Sequence, residues 1–175
     1  RDRDWDPVVD RGRTDQISEF ASSPCCRHSL HETQRCATDC THQRVQHASV
    51  TVDQQTTGAI QRGILILLGA GHDDDDKDLQ YILDKTVNLR IFPDDEGKMN
   101  LSLKEIAGDL LIVSQFTLYG DARKGRRPSF IAAMHPEPAE RLYQSFITKA
   151  KEIQELGTVA SGIFGADMKV SLLND

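Results

Sequence analysis

The alternation of apolar and polar positions is clearest from residue 48 onward. Val50 and Val52 alternate with polar residues, which predicts a half-buried strand over residues 48–53. A turn is predicted at 54–58. The next segment, 59–70, contains five consecutive apolar residues and predicts a central strand that pairs with the first strand as a hairpin.

Two later segments place apolar residues at helical spacing. The first follows the acidic run at 73–76, whose charges suit the start of a helix because they complement the helix dipole. The second is predicted to begin with Pro138 at its first position and to end at Gly157. The recurring faces are formed by Leu79, Ile82, Leu83, Thr86 and Val87 in the first helix, and by Leu142, Tyr143, Phe146, Ile147, Ala150 and Ile153 in the second.

Short extended segments complete the pattern. Residues 88–92 and 99–103 flank the turn sequence PDDEGK and predict a second hairpin. Residues 159–173 are predicted to be extended, with interruptions at Gly162 and Gly165. Several strands and two helices in a chain of 175 residues predict a single α/β domain, in which the helices pack against a mixed sheet.

Residues 109–128 combine a buried strand with polar chemistry. The apolar residues 110–113 predict a strand buried on both faces, and the extended segment is predicted to continue through Ser114 and Gln115 to residues 116–119. A Gly-Asp pair then turns the chain into a basic loop. Polar groups in the middle of such a strand need internal partners or a ligand. We predict that these groups contact a ligand.

The charge distribution restricts the kind of partner. The formal net charge of −6 argues against an extended basic face of the kind that wraps nucleic acid. Four basic residues nevertheless crowd into the loop after residue 121, and they are Arg123, Lys124, Arg126 and Arg127. Such a cluster is typical either of a solvated turn or of a site that neutralises a few phosphates of a nucleic acid.

Two further features concern location. No apolar run approaches the roughly 20 residues that a membrane-spanning helix needs. The opening sequence RDRDWDPVVD lacks the apolar core of a secretory signal. The sequence therefore predicts no membrane association and a cytoplasmic location.

The first 42 residues differ in character from the rest. They mix Arg with Asp and show no sustained apolar periodicity, so residues 1–42 are predicted to be a disordered tail and residues 43–175 the domain. The Cys and His residues of this tail are Cys25, Cys26, Cys36, Cys40, His28, His31 and His42. Their spacing matches no familiar zinc site. Incidental thiols are favoured over disulfides or a metal-binding module, and both alternatives stay open.

Conventional catalytic signatures are poorly represented. Ser114 lacks the G-x-S-x-G turn of serine hydrolases, and His135 sits beside a proline with no assignable acid partner. No HExxH or CxxC zinc signature occurs. The glycines at 69–71 precede an acidic run that would repel a phosphate, and these acids lack the spacing of an EF-hand. The sequence therefore predicts no metal and no cofactor.

A resemblance adds to this picture. SQFTL at 114–118, continued by YGDARKGRRPSF, resembles the signature of the D-aminoacyl-tRNA deacylase family. QRVQHASVTVD at 43–53, LRIFPDDEGKMNLSL at 89–103 and FGADMKVSLLND at 164–175 agree with the family in order and spacing. The resemblance implies a β/β/α layered homodimer without metal, which binds the 3′ end of aminoacyl-tRNA. It implies hydrolysis of the D-aminoacyl ester, a chirality proofreading step in translation, with glycyl-tRNA as a further candidate substrate.

The resemblance also implies roles for particular residues. Thr117 is placed at the reaction centre, either as a nucleophile or beside an RNA 2′-hydroxyl and backbone donors that do the chemistry. Phosphate contacts are expected from the four basic loop residues. Strand propensity is the structural alternative for Thr117, and core packing is the alternative for the two residues expected to flank the terminal adenine, Phe164 and Met168. Substrate contacts are expected from Ser114, Gln115, Phe116, Phe164, Met168 and Asn174.

Two departures from the family pattern bear on function. The family strand that runs into Gln-Arg-Val normally begins with apolar residues, whereas CATDCTH precedes Gln43 here. The family's cis Gly-Pro motif, which excludes L-amino acids, follows an Asn-Asp pair, and Asn174 and Asp175 end this sequence. We therefore expect a domain truncated before its final motif and strand, with weakened stereospecificity. The alternative function is an inactive truncated isoform that binds nucleic acid or a full-length partner.

Overall fold

The computed structural model describes residues 38–175, and the predictions for residues 1–37 lie outside this range. Cys40 and His42, predicted to belong to the tail, lie in the first strand. Within the described range the elements follow the predicted α/β class. In chain order they are β1 (Cys40–Val52), β2 (Gln55–Ile60), β3 (Gly63–Leu68), α1 (Asp76–Asn88), β4 (Phe92–Pro93), β5 (Met99–Leu101), β6 (Asp109–Ser114), α2 (Pro136–Lys151), β7 (Val159–Ser161) and β8 (Lys169–Asn174).

The long strand β1 organises the main sheet. Its first half pairs antiparallel with β3, and its second half pairs antiparallel with both β2 and β8. The predicted turn at 54–58 is wrong, because the chain already reverses at Asp53 and Gln54, which both have positive φ, and β2 starts at once. The predicted strand at 59–70 is divided for a related reason, since the chain turns again between β2 and β3.

The centre of the sheet is parallel and buried on both faces. β3 pairs parallel with β6, and β6 pairs parallel with β7. The four apolar residues of β6 at 110–113 are buried, which confirms the predicted two-sided burial. Leu110 and Ile112 belong to the core beneath the helices, whereas Leu111 and Val113 belong to a second core that Val45 and Val50 share. The alternation of side chains along one strand therefore supports two layers.

The sheet curves until its two edge strands approach each other. A β-carbon at Gly58 in β2 would lie 2.9 Å from the Ser161 carbonyl oxygen in β7, so only glycine permits this approach. β8 pairs with β1 along the part of β1 that extends beyond the end of β3. The result is a nearly closed sheet with both helices on one side, which confirms the predicted α/β class with two helices and a mixed sheet.

Both helices bury the faces that their spacing predicted. Asp75 caps α1 and forms a reciprocal capping box with Asp78, so the acidic run does start a helix. α2 begins at Pro136 rather than at Pro138, because His135 is still extended and a proline fits the first helical position. It ends at Lys151, earlier than Gly157. No helix among residues 38–175 is long and apolar enough to cross a membrane.

The strand at the centre of the sequence prediction ends sooner than predicted. β6 stops at Ser114, and Phe116–Tyr119 forms a single 3-10 turn, which we call the SQFTL turn because it lies in that motif. The predicted extension of the strand through 116–119 is therefore wrong. Thr117 lies on an exposed turn at the end of the sheet, not within a strand.

Candidate functional site

A cavity of about 850 Å³ opens at the end of β3 and β6. The start of α2 and the loop between β7 and β8 complete its wall. Five of the residues predicted to contact substrate line this one cavity, and they are Ser114, Gln115, Phe116, Phe164 and Met168. The structure therefore brings together two sequence motifs that are about fifty residues apart. The polar groups after β6 open onto a cavity instead of being sealed in the core.

Gln115 connects the sheet to the SQFTL turn. Its backbone N–H donates to the Leu68 carbonyl at 2.8 Å, which continues the β3–β6 pairing by one residue. Its side-chain amide donates to the Thr117 hydroxyl oxygen. Because that oxygen accepts from an amide, the Thr117 hydroxyl hydrogen remains available for a ligand. Thr117 itself stands at the edge of the cavity, outside its wall.

The backbone of the SQFTL turn adds donors at the same place. The Leu118 N–H reaches the Gln115 carbonyl, and the Gly120 N–H reaches the Thr117 carbonyl at 3.0 Å. The N–H groups of Phe116 and Thr117 have no backbone acceptor among the residues that the structure describes. Exposed N–H groups beside a cavity can stabilise a developing negative charge on a bound ester.

Tyr119 fixes the far end of the turn. Its hydroxyl accepts from the Asp39 N–H at 3.0 Å and donates to the Asp74 carboxylate at 3.4 Å. Its ring occupies the space where side chains at Gly69 and Gly71 would stand. Burial is the main cause that raises the pKa of the Tyr119 hydroxyl, and burial likewise raises the pKa of Asp74. Tyr119 therefore remains a neutral donor at physiological pH.

Two aromatic side chains, Tyr143 and Phe164, also line the cavity. The Tyr143 hydroxyl donates to the Ile112 carbonyl at 2.9 Å, and its ring lies 5.8 Å from the Phe164 ring. Burial raises the pKa of Tyr143 to about 12, so this hydroxyl also stays neutral. Phe164 is only partly buried, beside Met168 at the cavity. Both residues therefore present apolar surface to a ligand while they also contribute to packing.

The basic loop stands next to the cavity rather than in it. Asp121 and Ser129 exchange two backbone hydrogen bonds of 2.8 Å, which close the loop at its base. Arg123 forms an ion pair with Asp121 at 2.7 Å and holds the pKa of that carboxyl at about 2. The other predicted phosphate contacts, Lys124, Arg126 and Arg127, are exposed and lie outside the cavity wall.

Two residues considered in the sequence analysis, Asn174 and His135, do not take up the positions that a role in the site would require. Asn174 lies opposite Val45 near the end of β8 and does not line the cavity. His135 does line it, but its ring packs 5.7 Å from His72 and makes no hydrogen bond to Ser114. A serine triad therefore has no geometric support among the described residues. Within residues 38–175, no three His, Cys, Asp or Glu side chains are placed to hold a metal.

Sequence reasoning missed several residues of the cavity mouth. Phe130 and Ile131 line the cavity together with His72 and Met134. The available signal was the pair of apolar residues directly after the basic loop, in a passage with no regular pattern. An irregular passage gives no periodicity from which to infer the direction of a side chain.

Comparisons with known proteins are consistent along nearly all of the described range. The family model described as D-Tyr-tRNA(Tyr) deacylase matches residues 41–175. The D-aminoacyl-tRNA deacylase of Clostridioides difficile (strain 630) is 56% identical over 133 residues, which are 76% of this chain and 88% of that protein. The enzyme of the same name from Thermosipho africanus (strain TCF52B) is 53% identical with the same coverage.

Two solved structures share the fold. A structure of the c-Myc DNA Unwinding Element Binding Protein is 40% identical with a TM-score of 0.72, and the match covers 78% of this chain and 91% of that chain. A structure of a probable eukaryotic D-amino acid tRNA deacylase is 20% identical with a TM-score of 0.67, covering 79% and 94%. The second match supports the fold alone.

Proposed function

The chain belongs to the D-Tyr-tRNA(Tyr) deacylase family, and we propose that its cavity holds the aminoacylated 3′ end of a tRNA beside Thr117. The protein is a hydrolase of the ester bond in D-aminoacyl-tRNA, which makes it a proofreading enzyme of translation. The observation that carries the assignment of the site is the Thr117 hydroxyl, which Gln115 orients at the edge of a cavity.

The Thr117 hydroxyl acts as a hydrogen-bond donor in this proposal. Its oxygen already accepts from the Gln115 amide, and no carboxylate or imidazole contacts it among the described residues. A hydroxyl without a neighbouring base is a poor nucleophile. It is, however, well placed to orient the substrate ester. Orientation alone can contribute a large share of a rate enhancement.

Water is then the nucleophile. It adds to the ester carbonyl carbon, and the carbonyl oxygen gains negative charge that the N–H groups of Phe116 and Thr117 stabilise. The bond between that carbon and the ribose oxygen breaks, and the amino acid leaves as a free carboxylate. Of the two protons of the attacking water, one passes to the ribose oxygen and the other to solvent. An aminoacyl ester is an activated ester, so this reaction needs neither a metal nor a covalent intermediate.

The rest of the cavity suits the terminal nucleoside. Phe164 and Met168, which line the same cavity as Gln115, offer apolar surface for the adenine. Lys124, Arg126 and Arg127 supply positive charge for the phosphates that lie outside the cavity. Because Asn174 lies on β8 and does not line the cavity, the proposal includes no contact between Asn174 and substrate within one copy of the chain.

Assembly and location also belong to the proposal. β8 exposes Leu172 and Leu173, which gives a second copy of the chain apolar surface to bury, as expected for a homodimer. Light scattering after size exclusion tests this, and a monomer at every concentration would contradict it. Because the substrate is made where tRNAs are charged, we assign the protein to the cytoplasm.

The test uses D-Tyr-tRNA and the purified chain. We expect release of D-tyrosine by the parent chain and a loss of at least about tenfold in kcat for Thr117→Ala, since about 1.4 kcal/mol of lost stabilisation is tenfold. Thr117→Ser should restore most activity because it keeps the hydroxyl. Thr148→Ala is the matched control, because this exposed threonine bonds only within α2. Full activity of Thr117→Ala would refute the assigned role.

The alternative is a chain that binds RNA without turnover. The deacylase names of the relatives favour hydrolysis over this alternative. The same assay separates the two, because a binding-only form would retain the charged tRNA on a filter and leave its ester intact.

A further inference from the structure

The mouth of the cavity exposes a group of large apolar side chains. Phe116 is 59% exposed, Phe130 37% and Ile131 84%, and all three line the cavity. The two phenyl rings meet edge to face, with centroids 5.2 Å apart and planes at 71°. Single exposed apolar residues are ordinary, but a contiguous group at the rim of a cavity marks a binding surface.

The surrounding backbone holds this group in place. The loop before it is closed by the hydrogen bonds between Asp121 and Ser129, and the Phe130 carbonyl accepts from the Ala133 N–H at 3.0 Å. A β-carbon at Gly120 would lie 3.2 Å from the Phe130 ring, so the ring sits directly on the chain that leaves the SQFTL turn. The exposed rings are therefore positioned by the fold and are not loose loop side chains.

We propose that Phe116, Phe130 and Ile131 form a platform for the unpaired base that precedes the terminal adenosine. The inference rests on the proposed function, in which the terminal nucleoside occupies the cavity. A chain that leaves the cavity at its mouth must cross these rings. Aromatic rings accept any base by stacking, which is how proteins commonly bind single-stranded nucleic acid.

The charge beside the platform identifies its occupant as nucleic acid. Lys124, Arg126 and Arg127 stand exposed in the loop that ends at Phe130. Flat rings next to a cationic loop match the alternation of bases and phosphates in a single strand. A second copy of this chain carries a net negative charge and would also bury these rings, so it is the competing occupant that the experiment must exclude.

The experiment compares two substrates that differ by the nucleotides outside the cavity. One is 3′-O-(D-tyrosyl)adenosine, and the other is a D-tyrosylated RNA minihelix with an unpaired CCA end. Phe130→Ala should lower kcat/KM for the minihelix by roughly 5- to 150-fold more than for the adenosine ester, which is the range of base–aromatic stacking energies. For the minihelix, kcat/KM of Phe130→Leu should lie between the values of the parent chain and Phe130→Ala, because leucine keeps apolar volume but not the flat ring. Tyr81→Ala, an exposed aromatic on α1 outside the cavity wall, is the control.

A binding measurement separates this inference from the proposed function. A short RNA that ends in CCA, with 2-aminopurine in place of the second C, should lose fluorescence on binding because its base stacks on the rings. The quench should disappear with Phe130→Ala. If the parent chain hydrolyses neither substrate but quenches this probe, the proposed function fails and the platform stands.

Three results would overturn the platform. An equal loss for both substrates would mean that Phe130 only supports the SQFTL turn. No loss for the minihelix, together with an unquenched probe, would show that no base stacks there. A dimer in light scattering that Phe130→Ala converts to a monomer would show that a second copy covers the rings.

Discussion

The Tyr119 hydroxyl donates to the Asp74 carboxylate across 3.4 Å, and this contact joins the end of the SQFTL turn to the loop before α1. The same hydroxyl accepts from the Asp39 N–H, next to the start of β1. A side chain at Gly71 would lie 2.9 Å from the hydroxyl oxygen, so that glycine is part of the arrangement. The turn that carries Thr117 is thus held at one end by β6 and at the other by Tyr119.

Tyr119→Phe should reduce kcat more than it changes KM. The ring still fills its space, but the turn loses the hydrogen bonds to Asp39 and Asp74, each with a net value of about 1 kcal/mol. We expect kcat for D-Tyr-tRNA to fall by about three- to tenfold, with KM within about twofold. Tyr81→Phe is the matched control, as a tyrosine outside the cavity. A rise in KM at constant kcat would show that Tyr119 supports binding rather than the position of Thr117.

The secondary structure was largely predictable because local and global preferences agree. The apolar run at 110–113 and the stripes of α1 and α2 occupy the core as their spacing indicates. The SQFTL turn was not predictable, because contacts of Tyr119 with Asp74 and Asp39 help fix the end of β6, and these partners are 45 and 80 residues away in sequence. Without knowledge of such contacts, apolar residues that follow a strand are predicted to continue it.

The candidate site, like the secondary structure, was predictable only in part. Ser114, Gln115 and Phe116 could be placed by their position after a buried strand, and resemblance added Phe164 and Met168, which share their cavity. The separation of the basic loop from the cavity wall could not be predicted, since it depends on the closure of that loop between Asp121 and Ser129. The ion pair between Arg123 and Asp121 also depends on the folded loop, so the sequence could not show that Arg123 already has a partner.

His42 should make the fold less stable in mild acid. Its Nε2 donates to the Thr86 hydroxyl oxygen, which itself donates to the Ile82 carbonyl, so a neutral imidazole satisfies the site. Burial lowers the pKa of His42 from 6.5 to about 4. Between these values the unfolded chain binds the proton and the folded chain does not, so stability present above pH 6.5 is lost as the pH falls towards 4. The loss is of the order of 3 kcal/mol.

Urea unfolding from pH 7.5 to 4 measures the loss attributed to His42. In His42→Gln the decline over this range should shrink, because no imidazole remains to be protonated. His47→Gln is the control, an exposed histidine on the same strand. An unchanged decline in His42→Gln would assign the acid sensitivity to other groups.

Asp109 joins two loops at the closed end of the sheet. Its Oδ1 accepts from the Thr158 N–H at 2.6 Å, and its Oδ2 accepts from the Gln61 N–H at 2.8 Å. Asp109→Asn should cost about 1 to 3 kcal/mol of unfolding free energy, because an amide has one acceptor oxygen and turns a donor towards the other N–H. Asp53→Asn, on an exposed turn, is the control in thermal and urea unfolding. Equal stability of the two variants would contradict this role.

The basic loop should contribute to tRNA affinity through three cations rather than four. Lys124, Arg126 and Arg127 are exposed, whereas the Arg123 guanidinium is held by Asp121 at 2.7 and 2.9 Å. Each cation that contacts a phosphate contributes about 0.7 to 0.9 to the slope of log affinity against log salt concentration. Arg126→Gln and Arg127→Gln should therefore each lower that slope by this amount, and Arg123→Gln should change it much less.

Fluorescence anisotropy of labelled tRNA between 50 and 200 mM salt, roughly the range over which such contacts weaken, measures the slopes. Lys77→Gln on α1 is the charge-matched control, and equal slopes for all three loop variants would show that net charge matters and not the arrangement of the loop.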